Sequence, residues 1–292
     1  MKTITTLLCG ALLCSLTSFA QISFSGSSTA LSTPVNAPAI TIDNTLTITS
    51  NTSFDGARVS VSSNFSSGDV LTYTGSLPAG VTASYNSTTG VLTFTGTATA
   101  AAYETLLRTT TFATSSTNAL QRTILFNIGS TIGFSGNNHL YEFVSSQQAW
   151  YAAKAAAESR TLYGLQGYLA TVTSAGENNF IHEKIAADGW IGASDDASYI
   201  NSAVGSSLYT SQANAEGRWY WVTGPEKGTQ MTTANAPCGG YPPAFNGAYS
   251  NWNTGEPNNT AGEHYAQIYS SGAGSGRWND LNSSNVLGYI VE

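Results

Sequence analysis

The sequence predicts an α+β domain carrying one long loop, preceded by an all-β sandwich. Three observations lead there. Between residues 40 and 128 apolar and polar residues alternate in short runs, broken by Gly and Asn at roughly ten-residue spacing, the pattern of a β-sandwich. After Gly129, helical spacing and short aromatic runs give way to a stretch from Pro225 to Gly262 with little periodicity and much Gly, Pro, Asn and Thr. Only 9% of the 292 residues are charged, against roughly 25% in an average soluble domain. That composition suits strands and turns, and the 41% hydrophobic content supplies a core. It excludes a coiled coil, a basic nucleic-acid arm and a charged disordered chain. Ten basic against 17 acidic residues give −7, which disfavours a phosphate-backbone partner.

Residues 1–20 read as a secretory signal. Lys2 is the basic start, Leu7 to Leu16 the apolar core, and Ser18-Phe19-Ala20 the small-x-small cleavage site, so Gln21 is the expected mature start. Cys9 and Cys14 leave with it. Cys238 is then the single mature cysteine, which forbids an intrachain disulfide, and its Pro- and Gly-rich surroundings read as an idle loop thiol. No later window has the ~18 apolar residues of a membrane span. The mature chain is expected to be secreted or held at a cell surface.

Charge divides the rest of the chain. Residues 21–128 hold four acids and three bases, whereas 13 acids, six bases and all six Trp lie from Gly129 onward. The expected domains are 21–129 and 130–292. In the first, strands are read at Leu46–Thr49, Val59–Ser62, Val70–Tyr73, Val91–Thr95 and Arg122–Ile128, with a helical turn at Ala101–Leu107. In the second, Ser146–Glu158 reads as an Ala-rich helix, Gly167–Val172 as a strand, and Ser174-Ala175-Gly176-Glu177 as a capping box opening a helix through Ile185. Trp190-Ile191-Gly192 and Trp219–Val222 read as strands.

In the first domain Gly68-Asp69-Val70-Leu71, Tyr85-Asn86, Thr89-Gly90-Val91-Leu92, Tyr103 with Leu106-Leu107-Arg108, and Arg122-Thr123-Ile124 resemble cadherin-like repeats of bacterial surface proteins. The resemblance covers about residues 40–128 and implies a spacer or adhesion module. The acidic calcium motifs of many such repeats are thin here, so it carries over a fold and no site.

Within and after the long loop, oxygen donors gather: Glu256-Pro257-Asn258, then Glu263, then Asn279-Asp280 behind Trp278. Carboxylates mixed with amide carbonyls are hard-oxygen ligands suited to calcium, and the lack of thiolates argues against zinc or copper. A Pro between two ligands can take the cis form, turning both side chains to one side. The alternative reading is a set of polar residues solvating a loop.

Residues 140–292 resemble a C-type lectin-like domain through motifs in order: Gln148-Ala149-Trp150 with Ala153, Gly167–Val172 with Glu177-Asn178, Gly189-Trp190-Ile191-Gly192, Glu216–Trp221, Ser250-Asn251-Trp252, Glu256-Pro257-Asn258 and Trp278-Asn279-Asp280. The resemblance implies an α+β C-type lectin-like fold in which Glu256, Asn258, Glu263, Asn279 and Asp280 bind Ca²⁺ and, with it, two adjacent sugar hydroxyls. The Glu-Pro-Asn order implies mannose-type sugars: mannose, glucose, N-acetylglucosamine or fucose. The family's disulfide cysteines are absent, with Tyr265 and Val291 near two such positions, so core packing must replace them. The gap from Asn258 to Glu263 is one residue shorter than in common lectins of this type. Asp195 and Glu216 match two acids of a second calcium site, but Asn259 and His264 stand where acids are expected, so that site is expected to be weak or missing. Stretches near 197–215 and 230–247 exceed the usual loops.

Trp219 and Trp221 are read as core, Trp252 and Trp278 as loop anchors, Tyr249 as surface packing, and His264 as a residue that could border the site. An enzyme would need one carboxyl with a raised proton affinity beside a second, as in a glycosidase, and a bound calcium would work against that. The chain is therefore read as a calcium-dependent, carbohydrate-binding, adhesin-like protein with no catalytic residues. The rival is a protein–protein adhesion module that uses the fold without sugar, with surface proteins or glycoproteins as partners.

Overall fold

A computed structural model describes residues 2–6, 23–27, 30–50, 53–162, 164–232 and 244–292. The chain divides into two units, Met1–Leu140 and Tyr141–Glu292. Among the described residues no helix is long and apolar enough to cross a membrane. Cys238 and residues 233–243 of the 230–247 stretch lie outside the described residues.

The N-terminal unit is built from strands whose alternate side chains are buried. Ser53–Ser63 is central, flanked by Val91–Thr99 and Arg122–Ile128 in antiparallel register, with Val59 opposite Leu92 and Phe126. A smaller sheet, Ile40–Thr41, Thr110–Thr114 and Asp69–Tyr73, pairs Phe112 with Leu71. Val59, Val61, Phe94, Ile124 and Phe126 of the large sheet share one core with Leu71 and Phe112 of the small one. Helix α1, Ala100–Leu107, closes it with Tyr103, Leu106 and Leu107, and Thr99 caps the helix by accepting from Ala102 N. The period-2 segments are therefore strands, and the helical turn is a helix. Lys2–Thr6, expected to stand outside the fold, instead runs as a strand between Arg122–Ile128 and Ala30–Thr33. β-Branched Thr and Ile suit extended backbone, and a sheet edge offers unpaired donors and acceptors. The apolar core at Leu7–Leu16 and the Ser18-Phe19-Ala20 triplet lie outside the described residues.

One buried ion pair sits in this unit. Arg122 Nε donates to Asp69 Oδ2 at 2.8 Å, and the two side chains are 3% and 0% exposed. Ser66 N and Thr114 Oγ1 complete the carboxylate's partners at 2.9 and 2.7 Å.

In the C-terminal unit the strands His139–Gln148, Leu287–Val291, Gly189–Ser194, Tyr265–Ile268 and Trp278–Leu281 lie side by side in that order, and Tyr220–Trp221 pairs with Gly189–Ser194. Helix α2 is Trp150–Glu158, shorter than expected. Residues 146–148 continue the preceding strand, where Gln148 faces Leu287, and Ala149 is the N-cap. Gly167–Val172 is not a ladder strand but a single bridge, Leu169 to Val291. It is caught between two neighbours: Tyr168 and Ala170 donate to the Glu292 and Ile290 carbonyls, and Ala170 O accepts from Gly192 N. Helix α3, Ala175–Lys184, is capped by Ser174, but Glu177 reaches back to Thr173 N at 2.7 Å rather than to the cap residue itself. The stretch 197–215 folds into helices α4, Ala197–Val204, and α5, Gln212–Ala215.

The core joins Trp150, Trp190, Tyr265, Tyr289 and Val291. Tyr265 stacks at 4.7 Å on Trp150, and Val291 packs with it, so the two positions expected to lack a disulfide are filled by buried side chains. Two of the core indole N–H groups find carbonyl partners: Trp150 donates to Ile191 O and Trp190 to Gln148 O, at 2.9 and 2.8 Å.

Removing one member of a buried ion pair strands the other, at a cost of about 3–5 kcal/mol. Arg122→Met should therefore lower the stability of the N-terminal unit in urea by that amount. Adding Asp69→Asn should recover part of it. Equal stability of Arg122→Met and wild type in urea would show the pair to be energetically idle.

Candidate functional site

The candidate residues lie on two elements: the loop from Trp252 to His264 and the strand Trp278–Leu281. Trp252 and Trp278 anchor them. Both are fully buried, their rings meet edge-to-face at 5.8 Å, and they form an isolated bridge. Trp219 and Trp221 are buried as well, against Trp252 and Trp278 respectively. Tyr249 turns its ring onto Trp278 at 5.8 Å, so it serves packing. Trp278 Nε1 donates to Asn178 Oδ1 at 2.8 Å, which fixes the strand against α3.

Asp280, two residues further along the strand, is fully buried. Its carboxylate accepts two successive loop amides, Asn258 N at 3.0 Å and Asn259 N at 2.8 Å. The peptide between Glu256 and Pro257 is cis, and Asn258 Nδ2 donates to Glu256 Oε2 at 2.5 Å. Glu263 Oε2 accepts from Thr260 N at 3.2 Å, and its own amide donates to Asn259 Oδ1 at 2.9 Å. Asn259, Ala261 and Gly262 all adopt positive φ, 50°, 60° and 83°. Two non-glycine residues in the left-handed region are how the short segment from Asn258 to Glu263 turns tightly enough to bring Glu263 back.

Four of the five expected residues, Glu256, Asn258, Glu263 and Asp280, are thus drawn together by hydrogen bonds or mutual charge. Asn279 adjoins them on the strand, where its amide is tied back to the Asp280 carbonyl at 2.7 Å. Asn258 presents its NH₂ to Glu256 and its carbonyl to Thr260 N, at 2.8 Å, and to Thr260 Oγ1. Joining an ion's shell would require that carbonyl to release Thr260.

The electrostatics are those of anions forced together. Burial and then the Asp280 charge push the Glu256 carboxyl up to about 7. Burial and Asp280 raise Glu263, and burial raises Asp280 despite the two amides that favour its charged form. Burial and neighbouring charge make it unfavourable to ionise all three carboxyls, and a divalent cation with hard-oxygen preference relieves that crowding. The donor set therefore fits calcium.

Tyr269 carries no sequence signal of a site residue: it is a Tyr one position past a strand. Its phenol is raised by burial and then by the Glu256 and Asp188 charges, so it faces the same pocket, and its ring packs against Gly274. His264, which follows Glu263, turns its imidazole toward Asp195. It pairs with Asp195 at 2.9 Å, and that hydrogen bond raises its imidazole.

The family model described as the lectin C-type domain matches residues 146–291, half of the chain. Halomucin of Haloquadratum walsbyi (strain DSM 16790 / HBSQ001) is 36% identical over 264 residues, which is 86% of this chain and 3% of halomucin, so the chain spans a small fraction of that relative's length. Among solved structures, the C-type lectin CEL-I from Cucumaria echinata is similar at 21% identity and a TM-score of 0.35, over 52% of this chain and 87% of its own. Human lithostathine is similar at 17% identity and a TM-score of 0.37, over 56% and 95%.

The raised carboxyls predict a pH dependence of the metal-free fold. An unfolded Glu titrates near about 4.3, and Glu256 in the fold near about 7. Between those values the fold holds a proton that the unfolded chain has released, so stability from this group is lost as pH rises through the window. Glu256→Gln cannot lose that proton. In chelator, its melting temperature should gain on wild type from about pH 5 to about pH 8. A constant difference across that range would contradict the crowding.

Proposed function

We propose that this chain, which belongs to the C-type lectin domain family, binds carbohydrate through a calcium ion held by Glu256, Asn258, Glu263, Asn279 and Asp280. The observation that carries the reading is that Asp280, which holds the loop through the Asn258 and Asn259 amides, lies near enough for its charge to raise both Glu256 and Glu263, although the three carboxyls do not close to within 4.8 Å of one another as Asp195, Glu216 and His264 do. Such an arrangement destabilises the apo protein and is worth its cost where a cation compensates. Bound there, calcium supplies open coordination to two neighbouring sugar hydroxyls. The carboxylates of Glu256 and Glu263 accept from hydroxyls, whereas the Asn258 and Asn279 amides donate. A hydroxyl pair meeting one acceptor and one donor is fixed in direction. The Glu-Pro-Asn order supports mannose, glucose, N-acetylglucosamine or fucose as the class.

The leader pattern at residues 1–20 supports export, with action in the medium or at the cell surface. The motifs at residues 40–128 support a cadherin-like spacer, with residues 21–129 and 130–292 as the working domains. Adhesion follows from a spacer bearing a lectin module. This reading assigns the chain no catalytic step.

Extracellular calcium modules bind at about 10⁻⁴–10⁻³ M, and ligand carboxyls must release their protons first. Calcium titration by calorimetry should give an affinity in that range that weakens below about pH 7, and Asp280→Ala should abolish it. A monosaccharide array should light up with mannose-type sugars and go dark in chelator. Protein binding that persists in chelator, without any sugar signal, would favour the adhesion module instead. Glu256→Gln with Asn258→Asp should move preference toward galactose, and unchanged selectivity would refute the assigned geometry.

A further inference from the structure

Next to the carboxylate pocket lies a second polar cluster. Asp195 follows the strand Gly189–Ser194 and is 1% exposed. Its Oδ1 accepts from His264 Nδ1 at 2.9 Å and its Oδ2 from Gly217 N at 2.8 Å. Its carbonyl accepts from Gln212 Nε2 at 3.1 Å, and its amide donates to His264 O at 3.3 Å. Glu216 Oε2 lies 3.8 Å from His264 Nδ1 and 3.4 Å from Gln212 Nε2. One ligating atom each from Asp195, Glu216 and His264 falls within 4.8 Å of the others, a spacing at which two carboxylates and an imidazole can share a metal ion.

The middle of this cluster is already taken. Gln212 Nε2 stands 3.3 Å from His264 Nδ1. The amide's orientation is fixed, because its Oε1 accepts from Ala197 N at 2.9 Å at the start of α4. With His264 Nδ1 donating to the Asp195 carboxylate, the Gln212 amide gives its two hydrogens to the Asp195 carbonyl and the Glu216 carboxylate, so it holds both residues in place around the imidazole. Gln212 belongs to α5, inside the stretch 197–215 that exceeds the usual loops. His264 is bonded through the chain to Glu263.

We propose that Gln212 is a positioning residue: it holds Asp195 by its carbonyl and Glu216 by its carboxylate, so that His264 can fasten the loop bearing Glu263 to the strand end at Asp195 by a hydrogen bond. The extended stretch 197–215 thus has a purpose, to deliver this amide. Its consequence for calcium rests on the function proposed above, while the fastening itself does not.

Gln212→Met keeps the length of the side chain and removes its donor. In the calcium-free full-length protein, hydrogen exchange read by mass spectrometry should become about tenfold faster at residues 259–264, the order expected when the residue that positions the His264 acceptor loses its hydrogen bonds. Amides of α2 should be unchanged. In calcium, the variant's dissociation constant for the ion should rise about three- to tenfold. Gln212→Glu, which replaces the donor by an acceptor at equal size, should loosen the same residues and serves should the first variant fail to fold. Wild-type exchange at 259–264 in a folded variant would overturn the proposal. So would saturable zinc binding by the wild type that Glu216→Gln abolishes, since the cluster would then be a metal site in its own right. Faster exchange in a protein whose wild type takes up no calcium would uphold the fastener and sink the calcium reading.

Discussion

Two backbone amides of the loop, those of Asn258 and Asn259, end on one buried carboxylate, Asp280. Everything at the candidate site depends on that contact. It joins an irregular loop to a strand whose position is set by the sheet and by Trp278, and so gives loop residues a rigid reference. It also places Asp280 where Glu256 and Glu263 must share its field. The same carboxylate organises the loop and makes the pocket anionic, so structure and charge cannot be tuned separately. Replacing Asp280 removes a tether as well as a charge.

The two units use buried charge differently. In the N-terminal unit Asp69 is neutralised within the protein by Arg122 and two hydrogen-bond donors, and the pair is structural. In the C-terminal unit the Asp195 carboxylate is answered by His264 and the Gly217 amide, again from within. Around Glu256, Glu263 and Asp280, the hydrogen bonds and ion pairs among the described residues bring amides but no cationic side chain. The charge of Asp69 is met by an arginine, whereas this group is met only by amide and hydroxyl donors and by its own protons.

Much of this is legible in the sequence. Period-2 runs locate the sandwich strands, and Glu256-Pro257-Asn258 with Trp278-Asn279-Asp280 locates the pocket, because residues close in sequence carry most of its donors. Sequence and structure part where tertiary partners overrule local pattern. Ser146–Gln148 extends Ala-rich helical spacing in sequence, yet its backbone is claimed by the strand Leu287–Val291. Gly167–Val172 has strand composition, yet it is shared between two neighbours and forms one bridge. Helices α4 and α5 are hard to read because Ser, Asn and Ala give weak apolar periodicity. Their terminal signals are present: Asp196 caps α4 by accepting from Ser198 N, and Gly205 ends it in the left-handed region. Gln212 is beyond the reach of sequence, since an amide's role depends on four partners from distant segments.

The pairing of the C-terminal unit's first and last strands carries a mechanical meaning. Glu142 lies opposite Val291 and Phe143 opposite Ile290, in antiparallel register. Tension applied to the chain at Tyr141 and at Glu292 would enter and leave through adjacent backbone segments, loading their ladder in a peeling direction. The segment from Trp252 to Asp280 lies off that path. A tether anchored at those two points could be stretched until the ladder parts while the pocket keeps its shape.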